Sequence, residues 1–326
     1  MKLGKKGSIA VFSLLGAVLA VIVIAHQNQG PLANPREELF KKVVSCMIIA
    51  GACIGFAVLY DKVTGLTVEL FQSRHLIWKL AKNDFKKRYA GSYLGAVWAM
   101  VQPVVTVALY YVVFEIIMKG ASRTEEAPFV LFLTAGLVPW FFFNEALNSG
   151  TNALREYDYL VKKVVFKISI LPIIKIIAAS FIHLFFILVL LIVAAAYGYY
   201  PTVYTVQILY YSACLFLLVL AMCYTTCAIV VFFKDLSQII NILLQIGMWA
   251  TPILWDLNTV PESWQKILKL NPLVYIVNGY RSAVYGREWF FQDFFSTVYF
   301  WMFTILVFGL GTMVFKRLKV HFADVL

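Results

Sequence analysis

Long apolar runs separated by short, mostly basic polar stretches set the layout of this chain. The runs are about 18–25 residues long, enough to cross roughly 30 Å of hydrocarbon as helix. The first, Ser8–Ala25, follows Lys2, Lys5 and Lys6, and the second is Val43–Tyr60. Asp61–Gln72 then reads as a linker ending at a domain boundary. Six further spans are expected: Tyr93–Met118, Phe129–Leu147, Leu171–Tyr197, Val206–Phe233, Ile239–Leu254 and Phe295–Phe315. GYYPT at Gly198–Thr202 carries Gly and Pro breakers and reads as a turn, and Lys234-Asp235 marks another. This is the pattern of an all-α polytopic membrane protein, with residues 1–73 a transmembrane hairpin and linker and residues 74–326 a core of six helices.

Between hairpin and core the period changes. Wound as a helix, Arg74–Arg88 places His75, Lys79, Lys82 and Lys86 on one stripe and Ile77, Leu80, Ala81 and Phe85 on the other side. A basic amphipathic helix beside apolar spans lies in the interface plane, with its ammonium groups toward anionic head groups. Residues 74–92 are therefore expected to form a membrane-surface helix, with Arg74, Lys79, Lys82, Lys86, Lys87 and Arg88 facing lipid or a substrate approaching from the inner leaflet.

Composition agrees. Of 326 residues, 62% are hydrophobic and 14% charged, and mean hydropathy is +0.81. Soluble domains carry nearly twice that charged share. The net charge of +11 sits in short loops beside apolar spans, a distribution that orients a membrane protein and does not point to nucleic acid. With both termini inside, eighteen of the 28 lysines and arginines fall in inner segments and nine in outer ones, in line with the positive-inside rule. Residues 1–25 can be read as a cleaved signal or a retained helix; the length of the apolar stretch favours retention. Cys46, Cys53, Cys214, Cys223 and Cys227 all lie in apolar spans without ligand spacing and read as small buried hydrophobes.

Motifs for chemistry are missing. There is no GxxxxGK[ST], HExxH, GxSxG or GxGxxG. His183 reads as a packing residue, and Glu115, Glu145 and Lys175, all near span ends, as snorkelling charges. The aromatics cluster as Tyr110-Tyr111, Trp140-Phe141-Phe142-Phe143, Tyr197-Tyr199-Tyr200 and Trp289-Phe290-Phe291. They fit an interfacial belt or a channel lined with rings that stack on sugars, and periodicity does not separate the two.

Several local patterns nevertheless resemble the ABC-2 type polysaccharide and teichoic-acid export permeases. They run from Trp78 through Tyr93-Leu94-Gly95 and Trp98 to Gln102-Pro103, then Gly136-Leu137-Val138-Pro139-Trp140-Phe141, then Leu160-Val161-Lys162-Lys163 and Ile170-Leu171-Pro172. Asn271-Pro272, Gly279-Tyr280-Arg281 and the ending Phe322-Ala323-Asp324-Val325-Leu326 complete the match, over about residues 74–326. The resemblance implies a homodimer forming one channel, with a separate P-loop ATPase subunit that holds the ATP and magnesium; this chain would bind no cofactor. It also implies a coupling segment within the cytoplasmic connection 148–170, comprising Glu156, Tyr157, Asp158, Tyr159, Leu160, Val161, Lys162 and Lys163. The stretch 255–294 would be external or re-entrant, with Pro252, Trp255, Asn271, Pro272, Tyr280 and Arg281 at an outer gate. Pro252, Pro261 and Pro272 independently break this region into pieces too short to span. Phe166 is followed by Lys167 where many members have Pro and an acid, which puts the start of the third core helix in question.

The expected function is that of the permease subunit of an exporter of a lipid-linked cell-surface polymer, in a bacterial cytoplasmic membrane. Two rivals are an ABC-2 exporter of a small lipophilic compound and a membrane glycosyl- or phosphotransferase. The transferase would need paired cytoplasmic carboxylates, for which Asp84, Glu156 and Asp158 are the available acids.

Overall fold

A computed structural model describes residues 5–25, 35–88, 95, 97–117, 127–162 and 167–325. Lys163, Tyr93 and Leu94 and the side chain of Glu115 lie outside the described residues. Every regular element among those described is helical: α1 (Lys5–Ala25), α2 (Pro35–Gln72), α3 (Arg74–Arg88), α4 (Val97–Tyr111), α5 (Phe129–Glu156), α6 (Asp158–Val161), α7 (Leu171–Ala196), α8 (Gln207–Phe232), α9 (Leu236–Ala250), α10 (Glu262–Leu268), α11 (Pro272–Arg281), α12 (Phe294–Leu318) and α13 (Phe322–Val325). Four helical stretches among the described residues are long and apolar enough to cross a membrane: Phe129–Glu156, Ile168–Ala196, Val203–Phe232 and Phe294–His321. The other two expected core spans fall on α4, which continues as a π-helical Val112–Ile117, and on the 15-residue α9.

Centre and periphery follow from which faces are apolar. Helix α8 is apolar all round, as a helix surrounded by others must be, and buries Leu215, Leu218, Val219, Tyr224 and Cys227. Around it pack α5, α7, α11 and α12. Several polar side chains pair between neighbouring helices, as low-dielectric surroundings favour. Thr151 of α5 meets Thr226 of α8 at 2.8 Å, and Tyr224 donates to the Ser169 carbonyl at 2.9 Å.

Two boundaries differ from the sequence reading. Asp61–Gln72 continues α2 without a break, making one 38-residue helix. Its only interior helix-breaker there, Gly65, costs about 1 kcal/mol relative to Ala, and Leu66 joins the same core cluster as α5 and α8. Asn148–Glu156, although polar, likewise continues α5. The start of α7 is now defined: Leu171 opens the helix and Pro172 occupies its first turn, where its missing N–H costs nothing. At the other end of α7, Gly198 takes φ +85°, the left-handed conformation glycine adopts freely, so that Tyr199 N–H can return to the Ala194 carbonyl.

The N-terminal hairpin rests on α12. Val23 and Ile49 pack with Val298 and Met302, and Phe12 stacks on Phe56 with ring centroids 4.1 Å apart.

Candidate functional site

Helix α3 lies against α7 with the amphipathic face its sequence spells out. Ile77 and Ala81 are buried, while His75, Lys79, Lys82, Lys86 and Lys87 are exposed. One residue on the buried side is charged: Asp84, 7% exposed. Its carboxylate Oδ1 accepts from Lys175 Nζ of α7 at 2.6 Å and from the Tyr157 hydroxyl at 2.5 Å. Lys175 Nζ also lies 2.6 Å from Glu156 Oε2, at the last turn of α5, and 4.8 Å from the centroid of the Tyr157 ring.

Lys175 therefore does not snorkel. It is 4% exposed and joins the surface helix, the end of α5 and the first turns of α7. Two charges removed from water need each other's partners to recover the desolvation cost, so this junction holds all three elements in one arrangement. Burial, followed by the bond to Asp84, raises the Tyr157 phenol above its ordinary value, which keeps the proton on the oxygen that donates. Just past it, α5 ends at Tyr157 and the chain turns into α6. In the first turn of α6, the Asp158 carboxylate accepts from the Tyr159 N–H at 2.6 Å. Of the remaining coupling residues, Val161 is buried, Leu160 is partly buried, and Glu156, Tyr159 and Lys162 are exposed. Asp84 and Glu156, two of the three acids named for the transferase rival, share the Lys175 ammonium ion.

A second feature lies deeper in the bundle. A cleft of about 510 Å³ opens between α4, α5, α7 and α9. Its walls include Trp98, Tyr110, Trp140, Phe141, Phe142 and Phe186, with Asn144, Glu145 and Arg88 supplying polar groups. Arg88, at the C-terminus of α3, pairs with Glu145 and donates to Ser149 Oγ at 3.3 Å. Arg88 and Glu145 thus contribute to the cleft wall as an ion pair, where the sequence had Arg88 facing lipid or an approaching substrate and Glu145 snorkelling. Phe143 is buried behind Trp140, at 5.8 Å between ring centroids, and neither Phe143 nor Tyr111 is among the cleft residues.

The motif around Trp140 has a packing logic. A Cβ on Gly136 would stand 3.1 Å from an Arg281 guanidinium nitrogen and 3.2 Å from the Ile253 carbonyl oxygen. Only glycine lets the α11 arginine and the break after α9 come this close to α5. Arg281 donates to the carbonyls of Pro252 and Ile253 at 2.8 and 2.9 Å, with its guanidinium 3.5 Å from the centroid of the Phe132 ring. At the other end of α11, Asn271 caps the helix by accepting from Leu273 N–H, and Pro272 sits at its first position. The Asn271 amide also donates to Thr251 Oγ1 at 2.9 Å. Both ends of α11 thus grip the Thr251–Ile253 turn. Trp255 folds back, donating its indole N–H to the Trp249 carbonyl at 3.0 Å.

Tyr280 turns inward. His183 Nε2 is 2.9 Å from its hydroxyl and Ser212 Oγ is 2.6 Å away, which ties α7, α8 and α11 together beside the cleft. Sequence reasoning did not see this link. The spacing of α7 places His183 on an apolar helix, and nothing local shows that a tyrosine 97 residues later reaches it.

A family pattern described as ABC-2 type transporter matches residues 75–285. The O-antigen export system permease protein RfbA of Myxococcus xanthus is 30% identical over 68% of this chain and 85% of its own length. An RfbA protein of Klebsiella pneumoniae is 26% identical over 77% of this chain and 95% of its own. The polysialic acid transport protein KpsM of Escherichia coli is 24% identical over 72% and 89%. With its all-helical bundle and apolar spanning helices, the chain belongs to the ABC-2 polysaccharide export permease family of multi-pass membrane proteins.

Proposed function

We propose that the chain is the transmembrane subunit of an ATP-driven exporter that carries a lipid-linked cell-surface polysaccharide, or a teichoic-acid-like polymer, across a bacterial cytoplasmic membrane. The observation that carries this reading is the aromatic cleft between α4, α5, α7 and α9, with Arg88, Glu145 and Asn144 in its wall. Ring faces stack on the CH surfaces of sugars while allowing them to slide, and a few polar groups supply orientation. A small lipophilic cargo would need the rings and not the charges.

In this reading two copies form the conduit, and each docks a separate P-loop ATPase that holds the ATP and magnesium. The segment Glu156–Lys163 receives the push of ATPase closure. The junction at Lys175 passes that push to α3 and α7 at once, because both carboxylate partners of Lys175 sit on other elements. Exposed Lys79, Lys82 and Lys86 attract the pyrophosphate of the lipid carrier, and both chain termini face the cytoplasm. The Thr251–Ile253 turn, clamped by Asn271 and Arg281, closes the outer mouth.

The test is reconstitution with the partner ATPase in vesicles and measurement of ATP-dependent movement of labelled lipid-linked polymer. Wild type should move polymer, and a Trp140→Ala, Phe142→Ala double variant should not, although it still hydrolyses ATP. Polymer movement unchanged in that variant would remove the cleft from the pathway.

A further inference from the structure

The N-terminal hairpin encloses something that the transport reading leaves unused. Between α2, α3, α7, α8 and α12 runs an apolar groove of about 970 Å³, at the top of the range of about 300–1,000 Å³ usual for ligand cavities. Its α2 wall extends from Gly51 to Phe71, about 30 Å of helix at the ordinary rise. Gly51 and Gly55 line it one turn apart, and a Cβ built on either would meet nothing within 4 Å.

The groove has one polar end. Arg74 is the only charged residue among its described lining residues, and its guanidinium lies 4.9 Å from the centroid of the Phe71 ring. Next to it, Trp78 also lines the groove, and Lys82 Nζ lies 5.1 Å from the Trp78 ring centroid. A long apolar trough ending at an arginine, a tryptophan and a second cation on a surface helix has the chemistry of an anionic lipid. The tails need the trough and the phosphate needs the basic end, as at basic pockets between transmembrane helices.

We infer that this groove holds an anionic glycerophospholipid of the surrounding bilayer, its acyl chains along Gly51 and Gly55 and its phosphate at Arg74, bridging the hairpin to the permease core. The inference rests on membrane residence alone and stands apart from the cargo assigned above. The ABC-2 match covers residues 75–285, so the α1 and α2 walls of the groove precede it, whereas the α7 and α8 walls lie within it.

The experiment is native mass spectrometry of the full chain in detergent, titrated with phosphatidylglycerol, phosphatidylcholine or a polyprenyl phosphate. Wild type should retain phosphatidylglycerol in preference to phosphatidylcholine by about fivefold, the effect of one basic residue at a membrane surface. Arg74→Gln should erase that preference. Gly55→Phe, which fills the trough, should abolish retention while the thermal melt stays cooperative; Gly51→Phe gives the same readout if the first variant fails to fold. Equal retention of both phospholipids by wild type, retention unchanged in the filled variants, or preferential retention of the polyprenyl phosphate overturns the assignment.

Discussion

Lys175 Nζ lies 2.6 Å from Asp84 Oδ1, so a cation of a membrane-spanning helix is neutralised by an acid from the amphipathic helix at the bundle's basic end. Removing one member of a buried pair leaves the other uncompensated, at a cost of about 3–5 kcal/mol. Lys175→Met is therefore expected to lower the melting temperature sharply. Adding Asp84→Asn should recover part of the loss, and a double-mutant cycle read by thermal denaturation checks this coupling.

Tyr157 supports the same carboxylate. Tyr157→Phe should cost about 1.5 kcal/mol, the value of a hydrogen bond to a charged acceptor. The raised phenol means that its contribution is complete at neutral pH and falls away as pH rises above the ordinary value of about 10. Wild type should thus lose stability above that pH more steeply than the phenylalanine variant, in melts recorded across the alkaline range.

Two glycines are expected to resist substitution because other groups occupy the space of a side chain. A Cβ on Gly279 would run into the Tyr211 ring, and one on Gly136 would press on Arg281 and the Ile253 carbonyl. Alanine at either should cost about 1–3 kcal/mol as overpacking. Trimming Tyr211 to Leu should relieve the first and leave the second unchanged, measured as yield of folded protein and melting temperature.

Arg281→Lys tests the clamp on the Thr251–Ile253 turn. A lysine ammonium cannot reproduce the planar fork that reaches two carbonyls, so about 2 kcal/mol of stability should be lost. In vesicles loaded with a small dye, the variant should leak more than wild type if the turn closes the outer mouth.

The exposed stripe predicts the opposite behaviour. Lys79, Lys82 and Lys86 are exposed, so replacing all three with Gln should shift stability by no more than about 0.5 kcal/mol per site. Polymer transport should fall while ATPase docking is retained. Intact transport in the well-folded variant would show that the stripe serves only to hold lipid.

The stripe was readable because period 3.6 separates its basic and apolar positions within one segment. Asp84 carried a weaker signal: it continues the spacing of buried Ile77 and Ala81, yet its partner is 91 residues away and no local pattern connects them. Charge misled the reading at Asp61–Gln72 and Asn148–Glu156, where polar residues suggested connections. Many of these residues are weak helix formers, and packing carries the helices on: Leu66, Ala153 and Leu154 are buried in the core and Thr151 meets Thr226. The α11 clamp was visible only as a set of residues, Pro252, Asn271, Pro272 and Arg281 among them, that the resemblance grouped at one gate. That Arg281 reaches back to Pro252 and Ile253 depends on how α11 packs against α5.

The most direct test of the account is to co-purify the chain with the proposed P-loop ATPase subunit and measure ATP hydrolysis and polymer transport with residues 157–161 replaced by Gly and Ser. The account predicts that the complex weakens or that hydrolysis no longer drives transport. A complex that forms, hydrolyses ATP and exports polymer as wild type does would contradict it.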